Sequence, residues 1–336
     1  MRIVATGICH TDGLAQQADL PFPTPGVLGH EGAGIVERVG PGVTSVLPGD
    51  PVIIGWPWCG RCTRCRGGRP RYCEHLAQLL AGGGRPDGST ALSRDGKPIH
   101  SHFFGQSSFA TYAICAETSL VKAPPSGAVE LLGPLACGVA TGAGAVFNAL
   151  QPDLGASMVV YGAGTVGLAA IMAARNTGAS TIIAVDLHES RLALARRFGA
   201  THTVDARAHD PVVAVKDICG SRLADFALEC TGKIAVVRQA IDSVGMLGTA
   251  CLIGGAPAGA TFEADHMSTL WGKRIVGLLG GENTSEALIG GLLELHAQGR
   301  FPFDELVQEF PLEQINQALE ASLSGAVLKP VLRMPA

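Results

Sequence analysis

At 336 residues the chain is long enough for two domains with separate cores. With 47% hydrophobic and only 16% charged residues, it is not an extensively disordered protein. A formal net charge of −4, without a stripe of Lys or Arg, excludes nucleic acid or another polyanion as the main partner.

In chain order, the first signal is a brief apolar run, residues 3–8, ending at Cys9-His10-Thr11-Asp12. A signal peptide is not built that way, so a cytoplasmic protein is expected. Residues 34–39 and 51–54 read as short strands, cut by turns at Gly40-Pro41-Gly42 and Pro48-Gly49-Asp50. Such dense turn signals predict an all-β unit. Residues 82–100 are polar and rich in glycine, which predicts a long surface loop. Residues 131–152 carry no charge, nor do 154–174, long enough on paper to cross a bilayer. Pro134, Pro152 and the many glycines instead predict buried structure away from any membrane.

Near residue 140 the pattern changes to alternating strands and helices. Strands are predicted at 158–161, 181–185, 224–228, 249–253 and 275–277, with helices at 165–177 and 189–198. This alternation predicts a doubly wound parallel sheet. Helices at 286–298 and 312–322 and a last strand at 327–332 follow, and no internal repeat is present.

Gly162-Ala163-Gly164-Thr165-Val166-Gly167 fits G-x-G-x-x-G between a predicted strand and a predicted helix. Gly162 permits the tight turn, Gly164 lets backbone approach a pyrophosphate, and Gly167 lets helix pack on strand. The helix N-terminus then faces the negative charge. Asp186 ends the next strand, where a carboxylate bonds ribose hydroxyls and repels a 2′-phosphate. NAD is therefore expected over NADP, although Arg191 lies near enough to temper the repulsion. The alternative is a glycine-rich turn with a capping Asp.

Ten cysteines in a long chain without an export signal point to metal binding or catalysis rather than to disulfides. Cys59, Cys62, Cys65 and Cys73 have the spacing C-x2-C-x2-C-x7-C, which can close around one tetrahedral Zn2+ as a structural site. An iron–sulfur cluster is the rival, but such runs usually continue x3-C-P, whereas Cys73 precedes Glu74. Arg61, Arg64, Arg66, Arg69 and Arg71 either offset the thiolate charge or form a solvated basic loop. A second set, Cys9, His30-Glu31 and Cys137, is too dispersed for spacing alone to assemble.

Cys9-His10-Thr11-Asp12, Gly29-His30-Glu31, the four-cysteine lobe, Cys137 and the glycine fingerprint, in this order, resemble the zinc-containing medium-chain alcohol dehydrogenases. The match runs over essentially the whole chain. Phe103-Phe104-Gly105-Gln106-Ser107-Ser108-Phe109-Ala110 is similar to the bacterial aryl-alcohol (benzyl-alcohol) dehydrogenases. The resemblance implies an α/β protein: a GroES-like β-barrel catalytic domain at 1–138 and 282–336, flanking a Rossmann domain at 139–281.

It further implies that Cys9, His30 and Cys137 hold a catalytic zinc with one position left open. Glu31 would lie behind that metal and Asp12 would orient His30. The zinc would favour an alkoxide, hydride would pass to NAD, and Thr11 would take the hydroxyl proton. His10 and Lys329 match positions at the cofactor pyrophosphate, Thr141 and Val166 positions near the nicotinamide. Leu20, Trp56, Phe103 and Phe104 match substrate-pocket positions, where core packing explains them almost as well.

Two departures stand out. Leu14 occupies the position where many members carry a relay histidine, so proton release is expected to use water or another route. Only eight residues precede Cys9, where the family has two or three strands, so open sheet edges and exposed apolar surface are expected. The expected activity is reversible oxidation of primary aromatic alcohols by a homo-oligomer, dimer or tetramer. The alternatives are a glutathione-dependent formaldehyde or aliphatic alcohol dehydrogenase, or an inactive zinc- and NAD-binding protein.

Overall fold

The computed structural model describes residues 1–125, 128–282 and 285–335. The chain divides into two compact units, Met1–Ala140 with Asn283–His296 and Phe303–Ala336, and Thr141–Glu282 with Ala297–Pro302. Residues 297–302, inside the range read as part of the GroES-like domain, thus cluster with the second unit.

The first unit is built on a six-stranded sheet, in the order Val307–Pro311, Lys329–Arg333, Arg2–Gly7, Glu31–Ile35, Pro51–Ile54, Leu120–Lys122. Arg2–Gly7 pairs antiparallel with a neighbour on each side, so this strand is not an edge. Ile3, Ile54 and Ala113 form one core cluster beneath the sheet, and Ile8, Phe310, Ala318 and Leu332 another. The helix His10–Gln16 starts at Cys9 because Asp12, three residues on, reaches back to the Cys9 N–H. That reciprocal capping box satisfies donors the first turn leaves unpaired.

The second unit holds a six-stranded, fully parallel sheet, in the order Arg274–Gly277, Val244–Leu252, Ala224–Glu229, Ser157–Tyr161, Thr181–Asp186, His202–Asp205. The chain winds outward to one edge from Ser157–Tyr161 and to the other from Ala224–Glu229, the doubly wound order. Every residue of Ser157–Tyr161 is buried, which a strand covered on both faces requires. The following helix, Thr165–Ala174, is buried along eight consecutive residues, Gly167 to Ala174. The uncharged stretch is therefore core, and among the described residues no single helix is long and apolar enough to cross a membrane.

Several elements differ from the sequence reading. Residues 82–100 are not all loop: Leu92–Arg94 and Lys97–Ile99 form a hairpin. Asp95 and Gly96 at its tip both take positive φ (52° and 73°), the two-residue turn that an Asp-Gly pair favours. The helix from Thr165 stops at Ala174, and the last strand is Lys329–Arg333. Short elements not read from the sequence, Leu120–Lys122, His202–Asp205 and Val307–Pro311, take sheet positions that only tertiary pairing specifies.

Candidate active site and metal centres

The dispersed residues of the first unit converge. One ligand atom each from Cys9, His30, Glu31 and Cys137 lies within 4.8 Å of all the others. Cys9 caps the helix His10–Gln16, His30 precedes the strand Glu31–Ile35, and Cys137 follows the 3-10 turn Gly133–Ala136. Asp12, fully buried, ties this set together. Its carboxylate accepts from the Cys9 N–H (3.0 Å), the Gly29 N–H (3.1 Å) and His30 Nδ1 (3.0 Å). With Nδ1 so engaged, His30 Nε2 is the free ring nitrogen, and it is buried with no partner among the described residues. An orphaned imidazole nitrogen grouped with two cysteine sulfurs is the donor set that Zn2+ takes at a catalytic site.

Charge is shared unevenly in this set: its bond with Cys9, together with burial, pushes the Cys137 thiol well above the usual range. The neighbouring Cys137 and His30 pull the Cys9 thiol well below the usual range, although burial opposes them. Burial works against a charged His30 ring, but the Asp12 carboxylate and Cys9 outweigh it and raise its pKa well above the usual value. Burial pushes the Glu31 carboxyl up to about 7, against the pull of Lys329. Lys329 Nζ donates to both Glu31 oxygens (2.8 and 2.9 Å) and to the Ile8 carbonyl (3.1 Å). These bonds use all three of its N–H groups, so here the lysine holds Glu31 and leaves no donor for the pyrophosphate position expected of it. His10 is exposed at the helix start, and Thr11 Oγ1 lies 3.7 Å from Cys9 Sγ.

Trp56, Phe103 and Phe104 are buried in one cluster with Cys137, and Cys9 and Leu20 pack against it. The Phe104 ring lies 4.5 Å from the His30 ring and 5.0 Å, edge-on, from Trp56. Gln106 is a residue whose place the sequence reading did not foresee. Its amide donates to the His30 and Ile54 carbonyls and accepts from the Gly32 N–H (2.9, 3.1 and 3.0 Å), bracing the backbone that carries His30. The aromatic run is thus anchored to the backbone of His30 and of the strand that follows it. Leu14 is half-buried on the same helix as Asp12.

The four cysteines of the lobe form the second donor set, again within 4.8 Å of one another. Cys59 and Cys65 sulfurs stand 3.9 Å apart, Cys62 and Cys73 sulfurs 4.0 Å. Disulfide sulfurs would sit at roughly 2 Å, whereas thiolates around tetrahedral zinc sit at roughly 3.8 Å. Backbone N–H groups of Cys62 and Cys65 point at the preceding cysteine sulfurs (both 3.4 Å). Such bonds from Glu74 and Cys65 pull the Cys62 thiol down to about 6, whereas burial pushes Cys65 up to about 12 and Cys73 above its usual value.

In the second unit the glycine fingerprint follows Tyr161 at the carboxyl end of the sheet. Gly162 has φ +92°, and a side chain at Gly167 would overlap the Gly162 carbonyl. Nothing lies within 4 Å of where a Gly164 side chain would begin, leaving room for a phosphate. A cavity of about 450 Å³ opens beside the fingerprint, lined by Gly162, Gly164, Asp186, Arg191, Thr231 and Lys233 among others. Asp186 accepts from the Ala163 and His188 N–H groups (2.7 and 2.9 Å), and Arg191 Nη1 stands 3.9 Å from it. Thr141 is buried, and a side chain on its neighbour Gly142 would strike the Val166 carbonyl, so the two segments approach closely.

A GroES-like unit with two thiol-rich donor sets and a doubly wound unit with a dinucleotide fingerprint define a zinc-binding dehydrogenase. Residues 1–125 match the alcohol dehydrogenase GroES-like domain model and residues 165–295 the zinc-binding dehydrogenase model. The chain is 40% identical to a geraniol dehydrogenase of Castellaniella defragrans, over 99% of this chain and 89% of that protein. Among solved structures, it superposes on an alcohol dehydrogenase zinc-binding domain protein from Burkholderia ambifaria with TM-score 0.98 and 49% identity, covering 100% of this chain and 91% of the other. It superposes on benzyl alcohol dehydrogenase from Acinetobacter calcoaceticus with TM-score 0.96 and 44% identity, covering 99% and 91%. The chain belongs to the zinc-dependent medium-chain alcohol dehydrogenase family. Zinc and a nicotinamide dinucleotide, the cofactors of that family, fit the residues present.

Proposed function

We propose that the protein oxidises primary aromatic alcohols to aldehydes with NAD+, reversibly. The observation that carries this reading is the aromatic wall of the first unit. Trp56, Phe103 and Phe104 are packed with Cys9 and Cys137, and a phenyl ring lies against His30. Flat apolar side chains beside the reacting centre favour a flat apolar substrate. The likeness to a benzyl alcohol dehydrogenase supports it.

Cys9, His30 and Cys137 would hold the catalytic zinc, and Cys59, Cys62, Cys65 and Cys73 the structural one. When bound, zinc lowers the pKa of an alcohol as a Lewis acid, and NAD+ accepts the hydride from the carbinol carbon. The chain's own residues do the rest. Asp12 fixes the His30 tautomer and Lys329 holds Glu31 back. Thr11, whose Oγ1 lies 3.7 Å from the Cys9 sulfur, accepts the substrate's hydroxyl proton in a hydrogen bond and releases its own proton to water, because Leu14 has no group to receive it. Asp186 would bond the adenosine ribose at the edge of the cavity.

The test is a panel of benzyl alcohol, geraniol, ethanol and S-(hydroxymethyl)glutathione with NAD+. Benzyl alcohol should exceed ethanol at least tenfold in kcat/KM. Preference for ethanol or for the glutathione adduct would replace this reading.

A further inference from the structure

Of the five arginines flanking the cysteine lobe, four are exposed and Arg71 alone is buried, at 2%. A buried guanidinium normally faces a carboxylate or several acceptors, because desolvating an unpaired charge is costly. Arg71 has neither among the described residues. One nitrogen donates to Ser285 Oγ (2.7 Å), and Nε has no acceptor. The guanidinium lies over the Trp56 ring, 5.7 Å from its centroid. Trp56 Nε1 is also buried without a partner. Two orphaned donors therefore share one stack of indole and guanidinium.

That stack adjoins the proposed reacting centre. Trp56 meets Phe104 edge-on, and Phe104 covers the His30 ring. No carboxylate among the described residues pairs with the guanidinium, and a metal cation held by Cys9, His30 and Cys137 would supply no counter-charge either. A guanidinium keeps its positive charge at neutral pH.

We propose that Arg71 is a specificity-determining residue that receives a carboxylate borne on the substrate's ring, at the end away from the carbinol. The inference rests on the aromatic-alcohol reading above and deepens it. A planar guanidinium pairs with a carboxylate through two parallel N–H bonds. The indole N–H beside it supplies a further donor. Ring substituents without an acceptor would leave both donors unsatisfied, which a site built to hydrogen-bond its substrate rejects strongly.

The test compares 4-(hydroxymethyl)benzoate with benzyl alcohol and 4-methylbenzyl alcohol in the zinc-loaded enzyme. The ratio of kcat/KM, carboxylated to uncarboxylated, should be at least 10 in the parent. It should fall at least tenfold in Arg71→Met, less in Arg71→Lys, and partly in Ser285→Ala. Ser285→Ala and Arg71→Lys carry the test if Arg71→Met does not fold. A second readout is calorimetry with 4-methylbenzoate in a Cys9→Ser background, where the carboxylate has no catalytic zinc to bind. Affinity should drop at least tenfold when Arg71→Met is added. Turnover of all aromatic alcohols with an unchanged ratio, or equal 4-methylbenzoate affinities, would overturn the role of Arg71 alone and leave ordered water as the donors' partner. No turnover of any aromatic alcohol, with ethanol turned over, would overturn the aromatic reading, while the calorimetry still reports on Arg71.

Discussion

Asp12 does more at the candidate site than any single ligand, because one carboxylate accepts from the Cys9 N–H, the Gly29 N–H and His30 Nδ1. Asp12→Asn puts an NH2 group where one of those donors needs an acceptor. Zinc affinity at the catalytic set should fall about 10- to 100-fold, the usual effect of losing a partner behind a metal-binding histidine. Competition with a chelator measures it, and an unchanged affinity would mean that His30 is oriented by packing alone. Cofactor choice belongs to the same scale. NAD+ should be preferred over NADP+ at least tenfold in kcat/KM, about 1.4 kcal/mol, and Asp186→Ser should erode that preference by removing the repulsion towards a 2′-phosphate. Equal use of both cofactors by the parent would show that Arg191, 3.9 Å away, neutralises the carboxylate. Residues were legible in the sequence to the degree that their motifs are local. Asp186 follows from a strand end at the expected distance from the fingerprint. Arg71 stood in a run of five arginines, and only three-dimensional burial separates it from its solvated neighbours. Gln106 stood in a run that marked a subgroup, with no sign that its amide would reach the His30 strand.

Among the elements, the cysteine lobe is the most local device in the chain. Its four ligands fall within one short segment, and backbone N–H groups already aim at their sulfurs. That is why spacing alone could announce it, whereas Cys9, His30 and Cys137 sit on three separate elements and became a set only through family resemblance. A closed four-thiolate site contributes to folding directly. Cys62→Ser should therefore lower soluble yield and thermal stability and cost one zinc per chain. Full stability in this variant would show that the lobe does not depend on its metal. The misjudged hairpin at Leu92–Arg94 and Lys97–Ile99 carries the opposite lesson. Its Asp95-Gly96 turn signal was present, but each flanking strand has only three residues, too few for an apolar alternation, so hydrophobic periodicity could not reveal two strands.

At the scale of the whole chain, each unit contributes one kind of chemistry: the first gathers both thiol-rich donor sets, the second the dinucleotide fingerprint and its cavity. The parallel sheet was legible because Ser157–Tyr161 and Thr181–Asp186 contain continuous apolar runs and helices alternate with the strands. The outer strand His202–Asp205 and the sheet edges of the first unit were less so, since short, half-exposed segments depend on partners far away in sequence. The central claim is that two separate metal centres exist and that Cys9 belongs to only one of them. The measurement that tests it most directly is the zinc content per chain of the parent and of folded Cys9→Ser, by elemental mass spectrometry. The account expects about two ions in the parent and about one in the variant, with the four-cysteine site intact. Equal zinc content in the two proteins would contradict it.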